Sequence, residues 1–223
     1  MLTLFINTAS SVTAIALFDA REGGAKLLGK KSWKSHNDEA EKLMPAIANL
    51  AKDCGKKLTD IGKVLCVKGP GSFTGLRVGV TVANTIAYLN KCELYAVDTF
   101  EFLWAGATAT GLPAVAGEKS ALLIFAGSGG VYVSLKPGTK ERLAKLEKLY
   151  SFLRARKIAK TFGDITPDQR VKLRSIPFAP ATGKFATNAG IILQNHLKPV
   201  KIIEPLYIKN PGITKSKKQT CYI

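Results

Sequence analysis

The sequence predicts an α/β protein, and three observations carry the prediction. Strand-like and helix-like segments alternate along the chain. Their order is two paired strands, then strand, helix, strand, helix and strand, and a shorter version of the same order follows. Finally, 223 residues with 46% apolar and 22% charged side chains can bury a sizeable core, as one domain or two small lobes.

Leu2–Asn7 and Val12–Phe18 read as two strands joined by the small polar turn Thr8–Ser11, a hairpin. Ala25–Trp33 is a third extended stretch. Asn37 or Asp38 can then cap a helix in which Leu43, Ile47 and Leu50 recur at helical spacing. Pro45 removes a backbone donor from that helix unless it lies in the first turn. Lys63–Lys68 is an apolar strand, followed by the glycine-rich Gly69–Gly75 and a helix over about Leu76–Leu89. Glu93–Val97 is the next strand. In the second half, Ala121–Phe125 and Val131–Leu135 read as strands around the turn Gly127–Gly130. A basic helix follows over about Lys140–Arg154, with Leu143, Leu146, Tyr150 and Leu153 as its buried stripe. A strand over Lys157–Phe162 and a closing helix over Phe185–Leu197 complete the order before the prolines at 199, 205 and 211.

Charge is divided unevenly. Residues 1–112 hold 13 basic and 10 acidic side chains, net +3, whereas residues 113–223 hold 20 and 6, net +14. The second half therefore offers an electrostatic footprint for a polyanion, with a lysine-solvated surface as the plain alternative. The four cysteines form no C-x-x-C pair and no secreted-type framework, which implies a reducing compartment. The first residues lack a basic leader region, and no stretch reaches the roughly 18 apolar residues of a membrane helix, so the expectation is a cytoplasmic, unanchored protein.

Five features could carry chemistry or binding. Gly69, Gly71 and Gly75, with Ser72 and Thr74, join a strand to a helix, the arrangement that aims backbone N–H groups at an anion. Their G-x-G-x-x-x-G spacing misses the dinucleotide fingerprint, and no Gly-Lys-Ser/Thr follows. A tight turn that sets the next helix, with Thr74 as N-cap, is the favoured reading over an anion or nucleotide loop. On the next helix, Gly75, Gly79, Ala83 and Ala87 form a ridge of small residues that invites close approach, by the chain's own core or by another subunit. His36 and His196 lack the H-x-x-x-H spacing of a metal site, so no metal ligands are assigned. Asp38, Glu39 and Glu41 crowd one helix start, where they complement its dipole. Ser72 with a distant His36 matches no nucleophile elbow and has no orienting acid.

The run Gly69-Pro-Gly-Ser-Phe-Thr-Gly-Leu-Arg-Val-Gly79 resembles the signature of the TsaB (YeaZ) family. The N-terminal hairpin, His36 with Glu39, the Leu43–Ile47 segment and the ending Glu204-Pro-Leu-Tyr-Ile-Lys209 are similar to that family in the same order. The resemblance implies the two-lobed actin-like ATPase (ribonuclease H-like) fold with a reduced second lobe. It divides the chain into a first lobe over 1–105, a basic second lobe over 106–184, a closing helix and C-terminal segment over 185–210, and a basic tail over 211–223.

It also implies a non-catalytic scaffold that dimerises with TsaD and supports threonylcarbamoyl transfer to N6 of adenosine 37 in tRNAs reading ANN codons. TsaE and tRNA are the further partners, homodimerisation is expected when the chain is alone, and ATP or ADP would sit at the complex interface rather than on this chain by itself. The implied partner interface comprises Leu43, Ile47, Gly75, Leu76, Gly79, Val80, Ala83 and Ala87. Arg142, Lys145, Lys148, Arg154, Arg156 and Lys157 are the expected tRNA contacts.

Two departures from the family pattern matter. Ile6-Asn7-Thr8-Ala9 replaces the usual I-D-T-S, which removes a carboxylate that could organise a nucleotide's metal. Ala126-Gly127-Ser128 replaces the usual D-A-R of the second lobe. The rival readings are an actin-like phosphotransferase or peptidase-like enzyme, for which no nucleotide site or triad assembles, and a stand-alone basic RNA-binding protein, which shows no RRM, KH or zinc signature.

Overall fold

The computed structural model describes residues 1–21, 24–36, 38–109, 119–126, 129–138, 142–181, 183–194 and 197–208. Period-2 burial decides the first sheet. Leu4 and Ile6 of β1 (Leu2–Asn7) face one core while Phe5 faces another, so both faces of the strand are covered. β1 pairs antiparallel with β2 (Val12–Arg21), which pairs antiparallel with β3 (Gly24–Lys34). After α1 (Glu39–Asp53), β4 (Ile61–Val67) lies parallel to β1. After α2 (Phe73–Asn90), β5 (Glu93–Val97) lies parallel to β4. The sheet order is β3-β2-β1-β4-β5.

The second half repeats this plan. After α3 (Thr99–Ala109) come β6 (Lys119–Phe125), β7 (Gly130–Ser134), β8 (Arg142–Lys145), α4 (Leu146–Ala155), β9 (Ile158–Asp164), α5 (Pro167–Val171), β10 (Phe178–Pro180) and α6 (Phe185–Ile192). Reading the second sheet from β8 gives β8-β7-β6-β9-β10, the same order and strand directions as the first. The second lobe is reduced through strand length: β8 and β10 have 4 and 3 residues where β3 and β5 have 11 and 5. The two sheets with their helices form the two-lobed actin-like fold that was expected.

Three apolar cores stack the elements into five layers. α1 and α2 cover the outer face of the first sheet through Leu43, Ile47, Val80 and Ala83. α3 and α6 fill the space between the sheets, where Phe102 stacks on Phe5 at 5.2 Å and meets Phe185 at 5.8 Å. α4 and the Leu173–Ile176 stretch cover the outer face of the second sheet. The expected division between residues 105 and 106 falls inside α3, and α6 packs against β1, β2 and β3 of the first sheet.

Several expectations need correction. The basic helix starts at Leu146 rather than Lys140, because Arg142–Lys145 hydrogen-bonds to β7 as a strand. Leu143 therefore stands exposed on β8, and Leu149 with Leu153 forms the buried stripe. The helix after the glycine loop begins at Phe73, three residues early, and its N-cap is Ser72, whose Oγ accepts from Gly75 N at 3.3 Å; Thr74 is an exposed first-turn residue. Asp38 occupies the α1 N-cap without a capping bond, since its carboxylate pairs with Lys42. α1 runs through Pro45. The closing helix ends at Ile192. Asn37, Gly127, Ser128, His196 and the tail from residue 209 lie outside the described residues.

Candidate functional site

The glycine loop derives its composition from what lies against it. The β1–β2 turn is built by Asn7, whose Oδ1 accepts from Ala9 N at 3.0 Å and whose Nδ2 donates to Ser10 Oγ at 3.2 Å. This turn is pressed onto the start of α2. A Cβ at Gly71 would lie 2.0 Å from Ala9 O, one at Gly75 would lie 2.2 Å from Thr8 O, and one at Gly79 would lie 2.1 Å from Thr8 Oγ1. Ser72 N also donates to Ala9 O at 2.8 Å. The motif is thus a seat for the chain's own first hairpin, and the faces that an anion would need at Gly71 and Gly75 are filled by backbone.

The same turn is held from the other side by the second lobe. Asp164, at the end of β9, accepts from Ser11 N and Ser11 Oγ, both at 2.6 Å. Gly163 aims it there: its φ of +134° and its 2.0 Å clearance to Leu123 O exclude a side chain. A buried carboxylate from one lobe therefore satisfies the donors of the other lobe's turn. A second polar link joins the middle layer to the second sheet, where Trp104 Nε1 of α3 donates to Ser134 Oγ of β7 at 3.0 Å.

Every expected interface residue is placed inside the chain's own core. Leu43, Ile47, Leu76 and Ala83 have no solvent exposure, and Val80 and Ala87 are buried. Gly75 and Gly79 touch Thr8. These positions shape the α1–α2 layer from within, and a partner could meet only its other side. That outer side is unusual. Thr74, Arg77, Thr81, Thr85, Tyr88 and Leu89 form the outward stripe of α2, with Tyr88 83% and Leu89 69% exposed, while Val78 and Val82 are half-buried against the core. Arg77 is the sole charged residue among the 18 of α2, where a solvated helix face is normally charged. On α1, Met44 and Pro45 are exposed beside it.

Two structural details of the first lobe are not legible in the sequence. Arg77 lies over the Phe73 ring at 4.0 Å, and Phe73 meets Tyr207 at 4.9 Å, so the glycine motif and the C-terminal segment close on each other. Glu39 is buried rather than solvated at the helix start, and it accepts from Thr13 Oγ1 at 3.1 Å and from Ser35 Oγ. The spacing of Asp38, Glu39 and Glu41 contains no signal that separates the buried acid from its neighbours.

The expected tRNA residues lie at the opposite end of the molecule. Lys145, Lys148, Arg154 and Lys157 are exposed around α4, and Arg156 is half-buried with its guanidinium 3.8 Å from the Phe152 ring. Arg142 lies on β8, with its side chain outside the described set. Among the described residues no three His, Cys, Asp or Glu side chains converge as a metal site, and no helix is long and apolar enough to cross a membrane.

The model of the family described as TsaD, tRNA N6-adenosine threonylcarbamoyltransferase, matches residues 33–162. The chain is similar to the tRNA threonylcarbamoyladenosine biosynthesis protein TsaB of Bacillus subtilis, 42% identical over 72 residues, which cover 32% of this chain and 30% of that protein. It is also similar to the Escherichia coli protein of the same name, 28% identical over 107 residues, covering 48% and 44%. The matches thus span less than half the length of these curated relatives. Among solved structures, YeaZ from Pseudomonas aeruginosa superposes with a TM-score of 0.66 over 93% of this chain and 99% of that one, at 21% identity, which establishes the shared fold. With more than half of its length matched by the family model, the chain belongs to the TsaD family of tRNA N6-adenosine threonylcarbamoyltransferases, and its relatives within it are the TsaB/YeaZ proteins.

Proposed function

We propose that the chain is the non-catalytic scaffold subunit of a tRNA threonylcarbamoyltransferase complex, paired with TsaD through the outer face of α1 and α2. The observation that carries this reading is the nearly uncharged outward stripe of α2, ending in the exposed Tyr88 and Leu89. Such a face lowers its free energy by pairing with another apolar helical surface. The names of the sequence relatives support the role in N6-threonylcarbamoyladenosine synthesis. TsaE and ATP or ADP join the assembled pair, and the tRNA is its substrate.

The test is co-purification with TsaD of the same organism, followed by mass determination and a threonylcarbamoyl-transfer assay. A stable heteromer with activity that neither protein shows alone is expected. Tyr88→Asp and Leu89→Asp should each weaken assembly by about 30-fold or more, the size of an interface hot spot, without changing the melting temperature. Persistent self-association of this chain in the presence of TsaD, with no heteromer, would overturn the reading.

A further inference from the structure

The repeat of topology places α4 and α5 in the second lobe where α1 and α2 stand in the first, so the molecule has two outer helical faces, one at each end of the five layers. They differ in chemistry. Residues 142–174 hold 10 lysines and arginines against 3 acids, and one of the acids, Asp164, is buried against Ser11. Among the described residues of that stretch, Glu147 and Asp168 are the acids left at the surface.

Three lysines of the first lobe meet acids: Lys31 with Asp53, Lys42 with Asp38 and Lys63 with Glu93. By contrast, Lys145, Lys148, Arg154, Lys157 and Lys172 are exposed, and no ion pair among the described residues involves them. A surface that only needed solvation would mix signs. Three arginines of this layer also lie over aromatic rings: Arg156 over Phe152 at 3.8 Å, Arg174 over Tyr150 at 4.8 Å and Arg170 over Phe178 at 4.8 Å. Stacking restrains each side chain, and although Arg156 donates one N–H to Phe152 O at 3.3 Å, a guanidinium has five to offer, so phosphate contacts cost less conformational entropy.

We propose that the α4–α5 layer is an RNA-docking face that grips phosphates without reading sequence, and that it works independently of the α1–α2 face. The proposal rests on the scaffold reading for its choice of RNA as the polyanion. It extends the sequence-predicted set to Arg170, Lys172 and Arg174, which reach the layer from α5 and the turn after it. With layers about 10 Å apart, four spacings separate the two faces by roughly 40 Å, so an RNA held at α4–α5 leaves α1–α2 free for a protein.

The probe is an unmodified tRNA transcript, with binding to the chain and to its TsaD heteromer followed by anisotropy over a range of salt. A Lys148→Glu, Arg154→Glu, Lys172→Glu triple variant should lose at least about 10-fold in affinity and flatten the log K against log salt slope by about 2 to 3. The control triple Lys26→Glu, Lys30→Glu, Lys34→Glu, at exposed positions of β3, carries the same charge change and should stay within about 2-fold of the unaltered chain. Heteromer formation should be unchanged in both. Equal losses in the two triples, or no loss in the first, overturn the RNA face while leaving the scaffold reading standing. Failure of the unaltered chain to join TsaD, with the RNA result intact, overturns the scaffold reading alone.

Discussion

Gly75 shows how a single residue can be read correctly in kind and wrongly in partner. The small-residue ridge signals close approach, and the approach occurs, but the neighbour is Thr8 of the chain's own hairpin turn. Gly75→Ala would ordinarily stabilise a helix by about 1 kcal/mol. Here its Cβ would meet a backbone carbonyl oxygen at 2.2 Å, so the expected outcome is a net loss of about 1–3 kcal/mol in urea unfolding. Ala83→Arg, which a partner-facing reading would make an interface probe, should instead unfold the protein, because Ala83 has no exposure. Cys66 gives a prediction in pH. Burial pushes its thiol up from 9.0 to about 12, so an unfolded chain releases this proton near pH 9 while the native state keeps it. Stability from this group is intact below about pH 9 and falls as pH rises toward 12. Cys66→Ala should flatten that part of the alkaline decline in melting temperature, even though the smaller side chain lowers the whole curve.

Among the elements, strands with two covered faces were the easiest to read. β1, β4 and β5 are short apolar runs bounded by turn residues, and their observed limits lie within two residues of the expected ones. β8 was not legible, because Leu143 stands three residues before Leu146 and so continues the helical spacing of α4 into a strand. Only the hydrogen bonds to β7 make Arg142–Lys145 extended. β10 and α5 are too short, and too punctuated by Pro167, Pro177 and Pro180, to leave a periodic signal. The joint between the lobes belongs to this scale as well. Asp164→Ala removes two short bonds to a carboxylate, and although the exposed Ser11 can turn to water, a loss of about 1–3 kcal/mol is expected. Faster amide exchange at Ser11 and in the β1–β2 turn, with β8 and α4 unaffected, would localise the effect to this joint.

For the whole molecule, charge and topology were legible and their spatial arrangement was not. The net +3 and +14 of the two halves, and the repeated order of strands and helices, are properties of the linear chain. So is the glycine signature, because few residues other than glycine tolerate backbone at about 2 Å from their Cβ position. Which side of a helix faces out is a different kind of fact. Sequence periodicity marks Leu43, Ile47, Val80 and Ala83 as one apolar set, but an apolar stripe looks the same whether a sheet of the same chain or a second protein covers it. The fold decides in favour of the sheet, and so moves the candidate partner surface to Tyr88 and Leu89, and the cationic surface to the far end of five layers. The α/β order, the family and the excess of positive charge are written in the linear chain, since they follow from local pattern and composition. The tertiary structure alone decided which residues meet solvent, because burial is set by contacts between segments as distant as Ser11 and Asp164, which no local spacing encodes.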